Sequence, residues 1–148
     1  MTLKQSSILL SRISLFVIYF WFGILKVVGL SPASGMVQEL FEKTVTPIMN
    51  FLHISFLSAG VFVLIFGIFE VIIGVLFLVP GKERPAIYLF AIHMIATTLP
   101  LFFLRDSIWA GVLTPTLEGQ YIIKNIALLA CAVNIWATLK PRAEIVTI

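Results

Sequence analysis

Four ionisable side chains interrupt otherwise apolar stretches of this chain: Lys26, Glu70, His93 and Lys124. A charge at mid-bilayer costs at least about 2.5–3.5 kcal/mol on insertion scales, so such residues are functional candidates wherever their stretch spans a membrane. Glu70 lies ten residues before Pro80, and a helical rise of about 1.5 Å per residue puts it about 15 Å from that end of its segment. Snorkelling cannot rescue so short a side chain at that depth. His93 lies eight residues after Pro85, about 12 Å deep from the same boundary by the same rise. The two can therefore meet on adjacent helices as a proton-handling or quinol-binding pair, since a carboxylate favours the protonated imidazole beside it. The plainer alternative for His93 is one interhelical hydrogen bond holding a hairpin together.

Lys26 and Lys124 lie near the opposite ends of their segments, where a long side chain can reach the headgroups. Against that, Tyr19, Gly23 and Lys26 share one helical face, and Lys124, Ala127, Cys131 and Asn134 share another. Small and polar stripes belong to a bundle interior. Two lysines converging on Glu70 would form a buried Lys-Glu-Lys cluster or an anion-accepting cavity open to the exterior, with Glu118 and Asn125 at its rim. Gly67, Glu70 and Gly74 share a face, and Gly60, Gly67 and Gly74 recur every seven residues. Such small residues let a second helix approach closely.

The elements that position these residues follow from composition. Of 148 residues, 60% are hydrophobic and 11% charged, against about 45–50% and about 25% in soluble domains. With a mean hydropathy of +1.10, lipid is the expected solvent. A spanning helix needs about 20 apolar residues, and four stretches qualify, at about 8–30, 56–79, 86–104 and 120–139. Unpaired backbone has no partners in lipid, so each is helical. The expected fold is all-α, a single four-span membrane domain over 1–148. Lys4, Arg12, Lys82, Arg84, Lys140 and Arg142 fall on one side, against Lys43 and Arg105 on the other, which places both termini in the cytoplasm. Lys26 also breaks the apolar run that a cleaved signal peptide would need. In the first outer loop, MVQELFEKTVTPIMNFLHI reads as an amphipathic interfacial helix interrupted near Pro47, with an ordinary exposed loop as the alternative. Trp21, Trp109 and Trp136 read as interface anchors.

Several functions find no support. The net charge of +3 is scattered, which argues against nucleic acid. One cysteine and two histidines cannot build a disulfide or a metal cage. No phosphate-binding loop, dinucleotide fingerprint or nucleophile elbow occurs. No covalently bound cofactor is expected.

FGILK in the first span, GIFEVIIGVLFLVP in the second and LEGQYIIKNIALLA in the fourth resemble the DoxX-like bacterial membrane proteins, most closely their YkgB/RclC-type branch. The resemblance covers about three quarters of the chain and includes TVTPIMNF. The family's glycines and charges would fall on Gly23 and Lys26, Glu70 and Gly74, and Gly119 and Lys124. It implies a bacterial cytoplasmic membrane protein with relatives tied to thiosulfate:quinone oxidoreduction, oxidant defence and reactive-chlorine resistance. Quinone is the implied small-molecule partner. Any electrons then belong to quinone or to a redox partner protein, which makes the chain a partner-dependent or non-catalytic component. Self-association is left open. The competing readings are a small transporter for an anion or protons, and a purely structural module.

Overall fold

The computed structural model describes residues 2–53 and 57–139. The start of the second predicted span, and the Lys140 and Arg142 used in the orientation argument, lie outside the described residues.

Helix α1 (Leu3–Val27) opens on a capping box, in which Thr2 Oγ1 accepts from the Gln5 N–H and the Gln5 side chain accepts from the Thr2 N–H. Its buried residues, Ser11, Leu15, Tyr19, Gly23 and Lys26, form one stripe at spacings of three and four. After Gly29, at a φ of +74°, come α2 (Ser34–Leu40), a π-helical turn (Phe41–Val45) and α3 (Thr46–Phe51). Helix α4 (Ala59–Leu78) starts at Ser58, whose hydroxyl accepts from the Val61 N–H, and buries Val63, Gly67, Glu70, Ile73, Gly74 and Phe77. A turn through Gly81, at a φ of +78°, leads into α5 (Glu83–Thr98), followed by α6 (Pro100–Phe103) and α7 (Arg105–Ile108). A small antiparallel hairpin of β1 (Trp109–Gly111) and β2 (Thr114–Pro115) precedes α8 (Leu117–Trp136), which Thr116 caps.

Three helical stretches are long and apolar enough to cross a membrane: Leu3–Val27, Ala59–Leu78 and Glu83–Phe103. Helix α8 is as long as α4, but Glu118, Gln120, Lys124, Asn125 and Asn134 dilute its hydropathy, and it is not among the three.

Helices α1 and α4 make the most extensive contact among the described elements. A Cβ on Gly67 would lie 2.7 Å from Lys26 Cβ, and one on Gly23 would lie 2.8 Å from the Gly67 carbonyl oxygen. A Cβ on Gly74 would meet the Phe20 backbone nitrogen at 2.9 Å. Gly60 differs from its heptad partners: nothing lies within 4 Å of its Cβ position, and it packs against nothing. Helix α1 ends at Val27, which already lies against Gly67, so none of it extends to Gly60. Gly119 serves another contact, beneath the Ile108 carbonyl and Pro115.

The end bearing the α4–α5 turn is tightly tied. Arg12 donates through Nε to the Phe77 carbonyl at 2.7 Å, through Nη2 to the Leu78 carbonyl at 3.0 Å, and through Nη1 to Glu83 at 2.7 Å. It thereby satisfies carbonyls that the end of α4 would leave without partners. Asn134 of α8 donates to Ser11 at 2.8 Å and to Ser7 at 3.0 Å. A dry core of Leu15, Ile73, Phe77, Phe90 and Ile135 fills the space between.

At the far end the sequence expectations need amending. Pro100 cannot donate to the helical ladder, so the third predicted span breaks at Leu99 and resumes as α6. The short α7 and the hairpin were not anticipated. The amphipathic segment is helical on both sides of Pro47, and the Thr46 N–H reaches back to the Phe41 carbonyl, widening one turn just before the proline. That wider turn relieves the clash a proline ring makes inside a regular helix. Val37 and Phe41 are buried, Phe41 against Phe62 of α4, with ring centroids 5.1 Å apart. Ile48 and Phe51 are exposed. Trp21 and Trp136 are exposed, whereas Trp109 donates its indole N–H to the Leu101 carbonyl.

Candidate functional site

A continuous chain of four buried polar side chains from three helices crosses the middle of the bundle. Tyr19 Oη lies 3.0 Å from His93 Nδ1, His93 Nε2 lies 2.9 Å from Glu70 Oε1, and Lys26 Nζ donates to Glu70 Oε2 at 2.6 Å. None of the four is more than 7% exposed, so water cannot substitute for any of these contacts. The stripes described above aim each residue inward: Tyr19 and Lys26 from α1, Glu70 from α4, and His93 one turn beyond buried Phe90 on α5.

The hydrogen bonds assign the protons. An ionised Glu70 only accepts, which requires Nε2 of His93 to carry a hydrogen. In a neutral ring Nδ1 is then the acceptor, and the Tyr19 hydroxyl donates to it. Lys26 and Glu70 cancel each other's charge, so the chain is neutral overall when the imidazole is. This satisfies the rule that buried ions survive only as paired, hydrogen-bonded groups. Phe66 stacks on the imidazole with centroids 4.8 Å apart and lies 6.0 Å from Lys26 Nζ. The imidazole is therefore fixed by its two hydrogen bonds and by the stacked ring.

Above this polar floor, toward the far end, is a cavity of about 380 Å³. Tyr19, Lys26, Glu70 and His93 all face it. Its walls are mainly apolar, with Ile18 and Phe22 of α1, Met94 of α5 and Leu128 of α8, and Ser31 and Met36 line its far end. Such a space, apolar with a few convergent polar groups, is the usual form of a small-molecule site.

The residues proposed from sequence are thus divided. Lys26, Glu70 and His93 come together. Asn125 and exposed Glu118 line the cavity wall and mouth without touching the floor. Lys124 is a correction: it is exposed, and its ammonium lies 5.2 Å over the Tyr121 ring. The helical stripe proposed for it holds only in part: Cys131 packs against the core and Asn134 bonds to α1, whereas Lys124 and Ala127 are exposed. The two-lysine cluster therefore does not form; the second neighbour of Glu70 is His93. Lys26, for its part, is buried rather than reaching for the headgroups. Tyr19 was seen only as a face-mate of Lys26, and the stacking Phe66 was missed; neither carries a signal distinguishing it from an ordinary apolar position. Among the described residues no group of three or more His, Cys, Asp or Glu side chains could hold a metal ion.

Compared with known proteins, the chain matches no family model, no curated protein and no solved structure.

Proposed function

We propose that this chain is a four-span membrane protein with both termini in the cytoplasm, and that its cavity binds the ring of a quinone and exchanges a proton with it. In this reading α8 is the fourth span, and the far end faces the exterior. The observation that carries the reading is the neutral Tyr19–His93–Glu70–Lys26 chain at the floor of a mostly apolar cavity. A quinone carbonyl needs a hydrogen-bond donor, its reduction needs protons, and its ring needs an apolar slot. The Tyr19 and His93 hydrogens are already given to His93 and Glu70, so the donor free for a quinone carbonyl is the Lys26 ammonium, which gives only one of its three hydrogens to Glu70.

Charge balance favours this over anion transport. Lys26 is neutralised by Glu70, Lys124 is exposed over the Tyr121 ring and is not among the lining residues, and the lining carboxylate Glu118 repels anions. The resemblance to DoxX-like proteins agrees with this reading. It adds the bacterial cytoplasmic membrane as location and a redox or oxidant-stress system as setting, with electrons supplied by a partner protein.

Substituting Glu70→Gln tests the proposal. The amide keeps the shape but removes the charge that orients His93 and Lys26. Protein in nanodiscs should stay folded and lose benzoquinone binding by about tenfold or more, about 1.4 kcal/mol per tenfold. If binding is unchanged while proton or anion flux into liposomes disappears, the transport reading replaces this one. If stability collapses and the wild-type protein binds no quinone, the charges only lock the helices.

A further inference from the structure

The cavity's walls are not equally closed. At the end bearing the α4–α5 turn, α1 and α8 are joined by Asn134, Ser7 and Ser11. Toward the far end no hydrogen bond joins the two helices among the described residues, and the cavity lies between them. There the lining residues Phe22 of α1 and Tyr121 of α8 are 49% and 59% exposed. A lining side chain that is half exposed stands in an opening. The top differs: Ser31 is buried, Met36 joins the core of Leu104, Ile108 and Ile122, and α2 is tied to α7 by Ser107 donating to Glu39 at 2.9 Å.

We infer that the site is entered sideways, through a slot between α1 and α8 framed by Phe22 and Tyr121, and that its occupant is a neutral ring carrying a long apolar tail that remains in the lipid. The slot lies in the far half of the bundle, the exterior leaflet in the proposed orientation. Three observations limit what passes through it. Phe22, Tyr121 and exposed Leu117 give it apolar surface that suits an acyl or isoprenoid chain, Glu118 beside them disfavours anions, and the floor below has no uncompensated charge to repay the dehydration of an ion. The exposed Lys124 ammonium lies 5.2 Å over the Tyr121 ring and can reach for headgroups from there. This inference rests on the quinone reading and adds a route and a tail to it.

The experiment closes the slot. In a Cys131→Ser background, Phe22→Cys and Tyr121→Cys are bridged by a flexible bismaleimide, and the same protein capped with a monofunctional maleimide is the control. Association of a decyl-tailed benzoquinone and of the identical ring without a tail is followed in nanodiscs. The bridge should slow the tailed probe by about tenfold or more relative to the capped control and leave the tailless ring unaffected. Equal association of the tailed probe with bridged and capped protein overturns the lateral route. So does equal slowing of both probes, which a distorted site would give. In either case, binding that still depends on Glu70 leaves the quinone reading standing. If neither probe binds the unmodified protein, both proposals fall together.

Discussion

Helix α1 carries two seams of opposite character. Against α4 it is closed by glycines, and a single added methyl on Gly23, Gly67 or Gly74 would come within 2.7–2.9 Å of a neighbour. Against α8, among the described residues, it is joined by polar contacts at one end and flanks the cavity at the other. One helix thus supplies a rigid wall, from which Lys26 and Tyr19 project at fixed positions, and a flank that a ligand can pass. In lipid no hydrophobic force draws helices together, so close packing through small residues is what holds the first seam. The second seam lacks such residues where the cavity lies, and so it remains open there.

The largest expected effect comes from emptying the floor. Replacing Glu70 with Ala leaves the Lys26 ammonium buried without its counter-ion, a change that costs about 3–5 kcal/mol where buried pairs have been broken. Unfolding by SDS titration should register it. The double change Glu70→Leu with Lys26→Met should recover part of that stability, because an apolar pair replaces a buried ion pair at little cost while His93 Nε2 still loses its acceptor. It should not recover quinone binding. Next in size is the glycine seam: Gly67→Ala should cost about 1–3 kcal/mol by overpacking. Gly60→Ala should change stability by less than about 0.5 kcal/mol, since its site is open. The α8 seam should be softer. Asn134→Ala removes its contacts to Ser7 and Ser11, and interhelical hydrogen bonds in membranes average about 0.6 kcal/mol.

The smallest effect lies outside the spans. Glu39 is held below the ordinary carboxylate range by hydrogen bonds from Lys43 and Ser107. A carboxyl group whose folded value is lowered contributes stability that is fully present above its unfolded value and is lost as pH falls through the folded one. Acid titration of thermal stability should therefore show a slight loss below about pH 4.5, absent in Glu39→Gln. The pair is partly exposed, so added salt should also weaken it.

The parts of this arrangement visible in sequence were those with a period or a cost. Glu70 stands out because a mid-span carboxylate is expensive, and counting from Pro80 and Pro85 brings it level with His93. Gly67 and Gly74 stand out through spacing. Spacing could not tell them from Gly60, because the register along α4 says nothing about where α1 ends beside it. Lys124 was misplaced for a related reason. Its stripe on α8 was chosen for being polar, but the buried face of α8 is set by Gly119, Ile122, Ala132 and Ile135, which pack on neighbours that no local pattern reveals. Tyr19 resembles any aromatic in an apolar run until α5 brings an imidazole nitrogen to its hydroxyl. The cavity itself, an absence of packing between helices distant in sequence, has no local signature.

The central claim is that His93 bridges Tyr19 and Glu70 at the floor of a ligand cavity. Solid-state ¹⁵N spectra of histidine-labelled protein in bilayers, with His53 and His93 distinguished by a His93→Gln sample, test it directly. The account predicts a protonated Nε2 and a bare, hydrogen-bonded Nδ1 on His93. The Nδ1 signal should move in Tyr19→Phe, the Nε2 signal in Glu70→Gln, and both on adding benzoquinone. A His93 signal indifferent to both substitutions and to the quinone would contradict it.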